Sequence, residues 1–276
     1  MESGIKNVYM NDNELAKFYE GKFPLEMKLN EYLFIRDIDE NVIDKKKCNS
    51  EGEITHLKHK PIGSKNNRFS RKAIVPLNDE QFALFDLLQN RQITVKQITG
   101  VAGSGKNYCA FAYAMEAIDK GEYNKVVLIR NNIGVKDTCE LGALPAGINE
   151  KLLPFAMPAA DLLGSTSELF KLIENEQVEL VHLGFVRGRS FENSIIIVDE
   201  SENLTAEHAS LLVSRVGKGS VIMFLGDTAQ VDKPIFAKNS GLERLNERLF
   251  GHPLYGCVHL LKTERSETAG LALLMQ

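Results

Sequence analysis

No stretch of this chain approaches the ~20 consecutive apolar residues that a helix needs to cross a bilayer. Its first residues, Met1-Glu-Ser-Gly-Ile-Lys6, lack the apolar core of a secretory signal. A cytoplasmic protein with no membrane partner is the expectation. Cysteine is scarce: Cys48, Cys109, Cys139 and Cys257 are scattered without a C-x-x-C pair, which argues against a zinc site or a disulfide framework and for reduced, structural thiols. There is no internal repeat and no low-complexity tract. Large net charge is also lacking, at −4 overall, but the balance is uneven, because Lys45 to Lys72 holds nine Lys or Arg against Glu51 and Glu53. Such a segment is either a solvated loop or hairpin or a contact surface for the phosphate backbone of RNA or DNA, and composition does not separate the two.

The 276 residues, 43% of them hydrophobic, suit one large α/β domain or a domain with a small attachment. Residues 1–75 read as an N-terminal appendage, polar, locally basic and partly β. Within it Glu31 to Arg36 reads as a strand that the polar Asp37 to Cys48 passage turns into a hairpin. Residues 76–276 read as the main domain. Strand-like runs alternate there with helix-like ones, at Ile93 to Thr99, Lys125 to Arg130, Ser194 to Val198, Val221 to Gly226 and Cys257 to Lys262. Between the last strands, Thr205 to Val216 reads as a helix capped by Thr205 and ended by Gly217. Alternation of this kind predicts a mostly parallel sheet flanked by helices, with ligand sites at the carboxyl ends of the strands.

The first of those ends carries Gly100-Val101-Ala102-Gly103-Ser104-Gly105-Lys106. Glycines let the backbone curl with its N–H groups inward, the following helix adds positive charge at its N-terminus, and the lysine reaches terminal phosphates. Three fixed positions coincide by chance in roughly one chain in ten of this length, so context decides. A β-branched run precedes the loop, and Tyr108 to Ile118 has helical periodicity. Asn107 stands where a P-loop usually places the Ser or Thr that ligates magnesium. The loop therefore predicts nucleotide binding more firmly than hydrolysis.

Ser194-Ile-Ile-Ile-Val-Asp199-Glu200 is an apolar strand ending in two acids. In a Walker B arrangement Asp199 holds magnesium and Glu200 orients or deprotonates the attacking water; the alternative is a pair of acids that only opens a helix. Val221 to Asp227 repeats the pattern, and Gln230 follows as a sensor of the terminal phosphate or a turn residue bonding local backbone. Arg265 is a candidate arginine finger or a surface residue at a helix start. Gln81, nineteen residues before Gly100, either reads adenine through its amide or faces water.

In this order the motifs resemble the PhoH family of P-loop ATPases, related to the superfamily 1 helicase core. The resemblance covers about residues 76 to 276. It rests on Gln81, the G-V-A-G-S-G-K loop, and Leu141-Gly-Ala-Leu-Pro145-Ala-Gly147 with Glu150, Lys151, Pro154, Pro158 and Asp161. It continues through Phe185-Val-Arg187-Gly-Arg189-Ser190, Asp199-Glu-Ser-Glu-Asn203, Gly226-Asp227-Thr-Ala-Gln230, Ser240-Gly241-Leu242 and Glu264-Arg265. It implies a RecA-like P-loop NTPase that binds ATP and Mg2+ and hydrolyses ATP. Residues 100 to 108, from Gly100 to Tyr108, and Gln81 would hold nucleotide, Asn107 and Asp199 the metal, and Lys106, Glu200, Gln230 and Arg265 would carry catalysis. It further implies RNA or single-stranded nucleic acid as a partner, unwinding, and assembly into a homo-oligomeric ring. Arg130, Arg187 and Arg189 fall in segments that touch nucleic acid or nucleotide, or else pair with acids at the sheet edge. Some relatives add a PIN nuclease, for which the residues ahead of the core are too few. The departures are Asn107, Glu202 where D-E-A-Q-N has Gln, and Ala143 for an aromatic with Ala146 inserted; the second reading that Asn107 opens is nucleotide-dependent assembly or nucleic-acid binding with little hydrolysis.

Overall fold

The computed structural model describes residues 1–63, 73–131, 157, 159–161 and 163–264. The passage from Leu141 to Pro154, Pro158, Cys139 and Arg265 lie outside the described residues, as do positions 64–72 of the basic segment. Two sheets organise the rest.

The first holds β1 (Ile5–Tyr9), β2 (Tyr32–Arg36), β3 (Val42–Cys48) and β4 (Ile54–His56) in that order, with α1 (Asp12–Tyr19) between β1 and β2. The expected hairpin is β2 against β3, antiparallel, with Tyr32 opposite Lys47. This sheet is fastened to the rest by buried polar contacts. The Asn30 amide donates to the carbonyls of Pro253 and Tyr255 at 2.9 and 2.8 Å. Lys47 bonds both carboxylate oxygens of the buried Asp86 at 2.8 and 2.7 Å, and the Tyr32 hydroxyl adds a bond to the same group. Lys45 and Lys46 are likewise ion-paired, to Asp79 and Asp44. Three cations of the basic segment therefore face acids of this chain.

The second sheet is parallel throughout its six described strands, in the order β10-β5-β9-β8-β6-β7. These are β5 (Val95–Gly100), β6 (Lys125–Arg130), β7 (Val178–His182), β8 (Ser194–Asp199), β9 (Val221–Gly226) and β10 (Tyr255–Leu260). The last strand lies two residues earlier than its hydrophobic run suggested, and β7 is an addition. Only Val178 and Val181 of β7 are buried, while Glu179 pairs with Lys125 and Arg189; an edge strand so polar carries little apolar signal.

Helices cover both faces: α2 (Asp79–Gln89), α3 (Lys106–Asp119), α4 (Thr166–Glu174), α5 (Ala206–Val213), α6 (Pro234–Lys238) and α7 (Gly241–Leu249). Strand alternation divides the core. Ile195 and Ile197 of β8 pack with the α2–α3 side, and Ile196 and Val198 with Ala209 and Leu212 of α5 and Leu242 and Leu245 of α7. Burying each such aliphatic side chain stabilises by about 1.5–3 kcal/mol, and the fully buried β8 and β9 runs explain why these two strands were readable from composition. Thr205 caps α5 as expected, but the helix stops at Val213, before Gly217. Cys48, Cys109 and Cys257 are free, buried thiols.

Candidate functional site

Parallel pairing sends every strand of the second sheet toward the same edge, so the carboxyl ends of β5, β6, β8 and β9 lie on one side. The P-loop strand β5 and the acid-bearing strand β8 are not neighbours; β9 lies between them. The loop curls through left-handed glycines, Gly103 at φ 79° and Gly105 at φ 88°, before α3 begins at Lys106. The positive φ of Gly105 favours glycine, and a side chain there would stand 2.9 Å from the Gln81 amide and push against it.

Gln81 is buried, and its amide is engaged at both ends. Its oxygen accepts from Leu77 N at 2.9 Å and its nitrogen donates to the Ser104 carbonyl at 3.0 Å. It thereby ties the segment before α2 to the phosphate loop, a tether that sequence spacing did not reveal. Asn78 orients it by accepting from Gln81 N as the α2 cap. One buried and one part-buried hydrogen bond contribute about 2 kcal/mol together. Gln81→Ala is therefore expected to weaken nucleotide binding roughly ten-fold and lower thermal stability by a similar free energy, both measurable by nucleotide titration and melting; an unchanged affinity would rule out the tether as a determinant of loop geometry.

A cleft of about 860 Å³ opens beside the loop, lined by Gln81, Lys106, Asn107, Tyr108, Asp199 and Gln230, among others. Val75, Leu77 and Tyr108, all with substantial exposure, give it an apolar wall. Glu264 also lines it, with its N–H on the Gly103 carbonyl at 2.9 Å and its carboxylate accepting from Asn78. Gly100 and Val101 lie at the base of the loop, where their carbonyls accept from the Lys106 ammonium at 2.9 and 3.3 Å. The Ser104 hydroxyl is buried and, among the described residues, has no hydrogen-bond partner. A buried orphan hydroxyl, a glycine cradle, a lysine and a helix N-terminus together suit a phosphate group.

The acids are arranged with their counter-groups. Asn107 donates from its amide nitrogen to Asp199 Oδ1 at 2.7 Å; a carboxylate only accepts, so this contact fixes which end of the amide turns toward it. Arg130 is in register with Asp199 across β6 and β8 and lies 3.6 Å from its carboxylate. Its other terminal nitrogen donates to Glu200 at 2.7 Å. Arg130 thus pairs with acids at the sheet edge, one of the two alternatives open to it. Burial, then the charge of Glu200, raises the Asp199 pKa, while Arg130 and Asn107 oppose the shift. Gln230 donates to Asp227 Oδ2 at 2.9 Å and Asp227 N–H donates to Glu202 Oε2 at 3.0 Å. Arg187 and Phe185 are exposed in the segment that follows β7, whereas Arg189 is held by Glu179 and lies over Phe191.

This is the architecture of a P-loop nucleotide-binding protein: a parallel sheet with a glycine-framed phosphate loop after one strand and acids after a strand two places away. The chain belongs to the PhoH family, whose model, described as PhoH-like protein, matches residues 73–269. It is 37% identical over 210 residues to Protein PhoH2 of Bacillus subtilis, covering 72% of this chain and 47% of that protein. It is 32% identical to Protein PhoH2 of Thermobispora bispora, over 70% of this chain and 45% of the relative. A PhoH-like protein of Bacillus subtilis is 32% identical over 60% of this chain and 52% of its own length. The chain therefore spans about half the length of the curated relatives it matches. Among the described residues, no helix is long and apolar enough to cross a membrane.

Proposed function

We propose that the protein is a magnesium-dependent ATPase, and the observation that carries this is the convergence of Lys106, Asn107, Asp199, Glu200 and Gln230 on one cleft. The base of ATP rests against Tyr108, Val75 and Leu77, and the phosphates lie in the loop from Gly100 to Asn107 under the Lys106 ammonium. Magnesium, held by Asp199 and the Asn107 carbonyl oxygen, would neutralise charge on the phosphate oxygens. Glu200 takes the proton from the water that attacks the terminal phosphate, giving ADP and inorganic phosphate, and Gln230 orients that water. Arg265 stabilises the transferring group from its own subunit or a neighbouring one. The family resemblance extends this reading to RNA or single-stranded nucleic acid as partner and to a ring of identical subunits. Residues 1–75 serve as an appendage to the ATPase domain of residues 76–276.

Asn107 supplies the sharpest test. Its carbonyl oxygen sits one bond farther from the backbone than a Thr hydroxyl would, on a planar group whose amide nitrogen is engaged by Asp199. Asn107→Thr is expected to raise magnesium-dependent turnover by about ten-fold, worth ~1.4 kcal/mol of barrier, in a steady-state phosphate-release assay. A variant no faster than wild type would show that residue 107 does not limit hydrolysis. The same Asn107–Asp199 contact favours the second reading, in which ATP closes an oligomer or a nucleic-acid site and is hardly hydrolysed. Tight ATP binding, negligible turnover and oligomers that form with a non-hydrolysable analogue would favour that reading over the enzyme.

A further inference from the structure

Beyond β10 the chain runs beside the phosphate loop and the start of α2, and hydrogen bonds hold it there. The Leu260 carbonyl accepts from Val101 N at 3.1 Å, Leu261 N donates to Glu80 Oε2 at 2.7 Å, and Glu264 N donates to the Gly103 carbonyl at 2.9 Å. Glu264 is therefore fixed at its backbone although it belongs to no helix or strand. Its side chain is fixed through one oxygen only. Asn78 uses its amide oxygen for the α2 cap, accepting from Gln81 N at 2.8 Å, which leaves its amide nitrogen to donate to Glu264 Oε1 at 2.6 Å. Glu264 Oε2 has no hydrogen-bond partner among the described residues, and no ion pair with them reaches the carboxylate. The residue is exposed and lines the cleft.

These two anchors locate the free oxygen. Asn78 follows Leu77 of the apolar wall, and Gly103 belongs to the phosphate loop. Glu264 thus stands between the surface that takes the base and the cradle that takes the phosphates, and the sugar is the part of a nucleotide that joins those two. The other described acids of the cleft, Asp199, Glu200, Glu202 and Asp227, follow β8 and β9, on the opposite side of β5 from β10. Gln81 is engaged at both ends of its amide.

We propose that Glu264 selects the sugar of the bound nucleotide: its free carboxylate oxygen accepts hydrogen bonds from the ribose hydroxyls, so that the cleft takes ribonucleotides in preference to deoxyribonucleotides.

The chemistry of the two partners is complementary. An ionised carboxylate only accepts, and a hydroxyl supplies the hydrogen it needs. The charge of Glu264 also repels a triphosphate, and hydroxyl donors offset that repulsion. A ligand without the 2′-hydroxyl covers the carboxylate and gives it less in return, leaving an acceptor taken from water with no partner. A site built to bond a hydroxyl rejects the analogue lacking it more strongly than an apolar pocket rejects a small change of size.

The inference rests on the cleft binding ATP and not on its hydrolysis, so binding is the readout. Calorimetric titration of wild type, Glu264→Ala and Glu264→Gln with ATP and with 2′-deoxy-ATP, magnesium present throughout, measures the preference in each protein. Wild type is expected to bind ATP roughly ten-fold more tightly than 2′-deoxy-ATP. Glu264→Ala should bring the two ligands toward equal affinity. Glu264→Gln, whose amide oxygen still accepts from Asn78, should fall between them. A residue that only braces the phosphate loop would lower both affinities alike and leave their ratio at the wild-type value, and that result overturns the proposal. Wild type that binds ATP and 2′-deoxy-ATP equally overturns it too, with the ATP site left standing. Wild type that binds neither ligand removes the ATP site and this inference together.

Discussion

Glu200→Gln is expected to bind ATP as well as the wild type while its turnover falls by about 10²–10⁴-fold, the usual contribution of a positioned general base. The substitution conserves shape, and the amide oxygen can still accept from Arg130, which bonds Glu200 at 2.7 Å. It removes the ability to take a proton from water. The Arg130 pair is partly exposed, at 27% and 37% for the two side chains, so loss of its charge costs about 1 kcal/mol or less of stability. A melting temperature near that of wild type, with turnover lost and binding retained, separates a chemical role for Glu200 from a structural one. Retained turnover would assign water activation to another group.

Lys106→Ala is expected to act earlier, on binding. The ammonium sits at the first position of α3 and bonds the carbonyls of Gly100 and Val101, which keeps it over the cradle. Charge-assisted hydrogen bonds to phosphate contribute about 1.5–3 kcal/mol each. Truncation is therefore expected to weaken ATP at least ~100-fold and to abolish measurable turnover. Titration with ATP and with adenosine makes the assignment specific. Adenosine affinity should change little, because adenosine carries no phosphate for the ammonium to bind. An equal loss for both ligands would place the damage in the loop's fold instead of in the phosphate contact.

The parts of this site that were legible in the sequence are those whose chemistry is local. The phosphate loop announces itself by spacing, and the β8 and β9 acids by following apolar runs that are buried on both sides. The contacts that organise these parts join residues far apart in the chain. Arg130 reaches Glu200 across seventy positions, and only the parallel register of β6 and β8 brings them together. Gln81 looked like a reader of adenine or a solvated amide; its bonds to Leu77 and Ser104 depend on the return of the chain from β5 beside α2. Strand β7 carries little apolar signal, because its Glu179 is satisfied at the sheet edge by Lys125 of β6 and by Arg189.

The central claim is that this cleft hydrolyses ATP, and magnesium-dependent phosphate release by wild type, Lys106→Ala and Glu200→Gln under identical conditions tests it most directly. Turnover in the wild type that is lost in both variants, with ATP binding kept by Glu200→Gln and lost by Lys106→Ala, is the predicted result. Equal rates in all three proteins would contradict it.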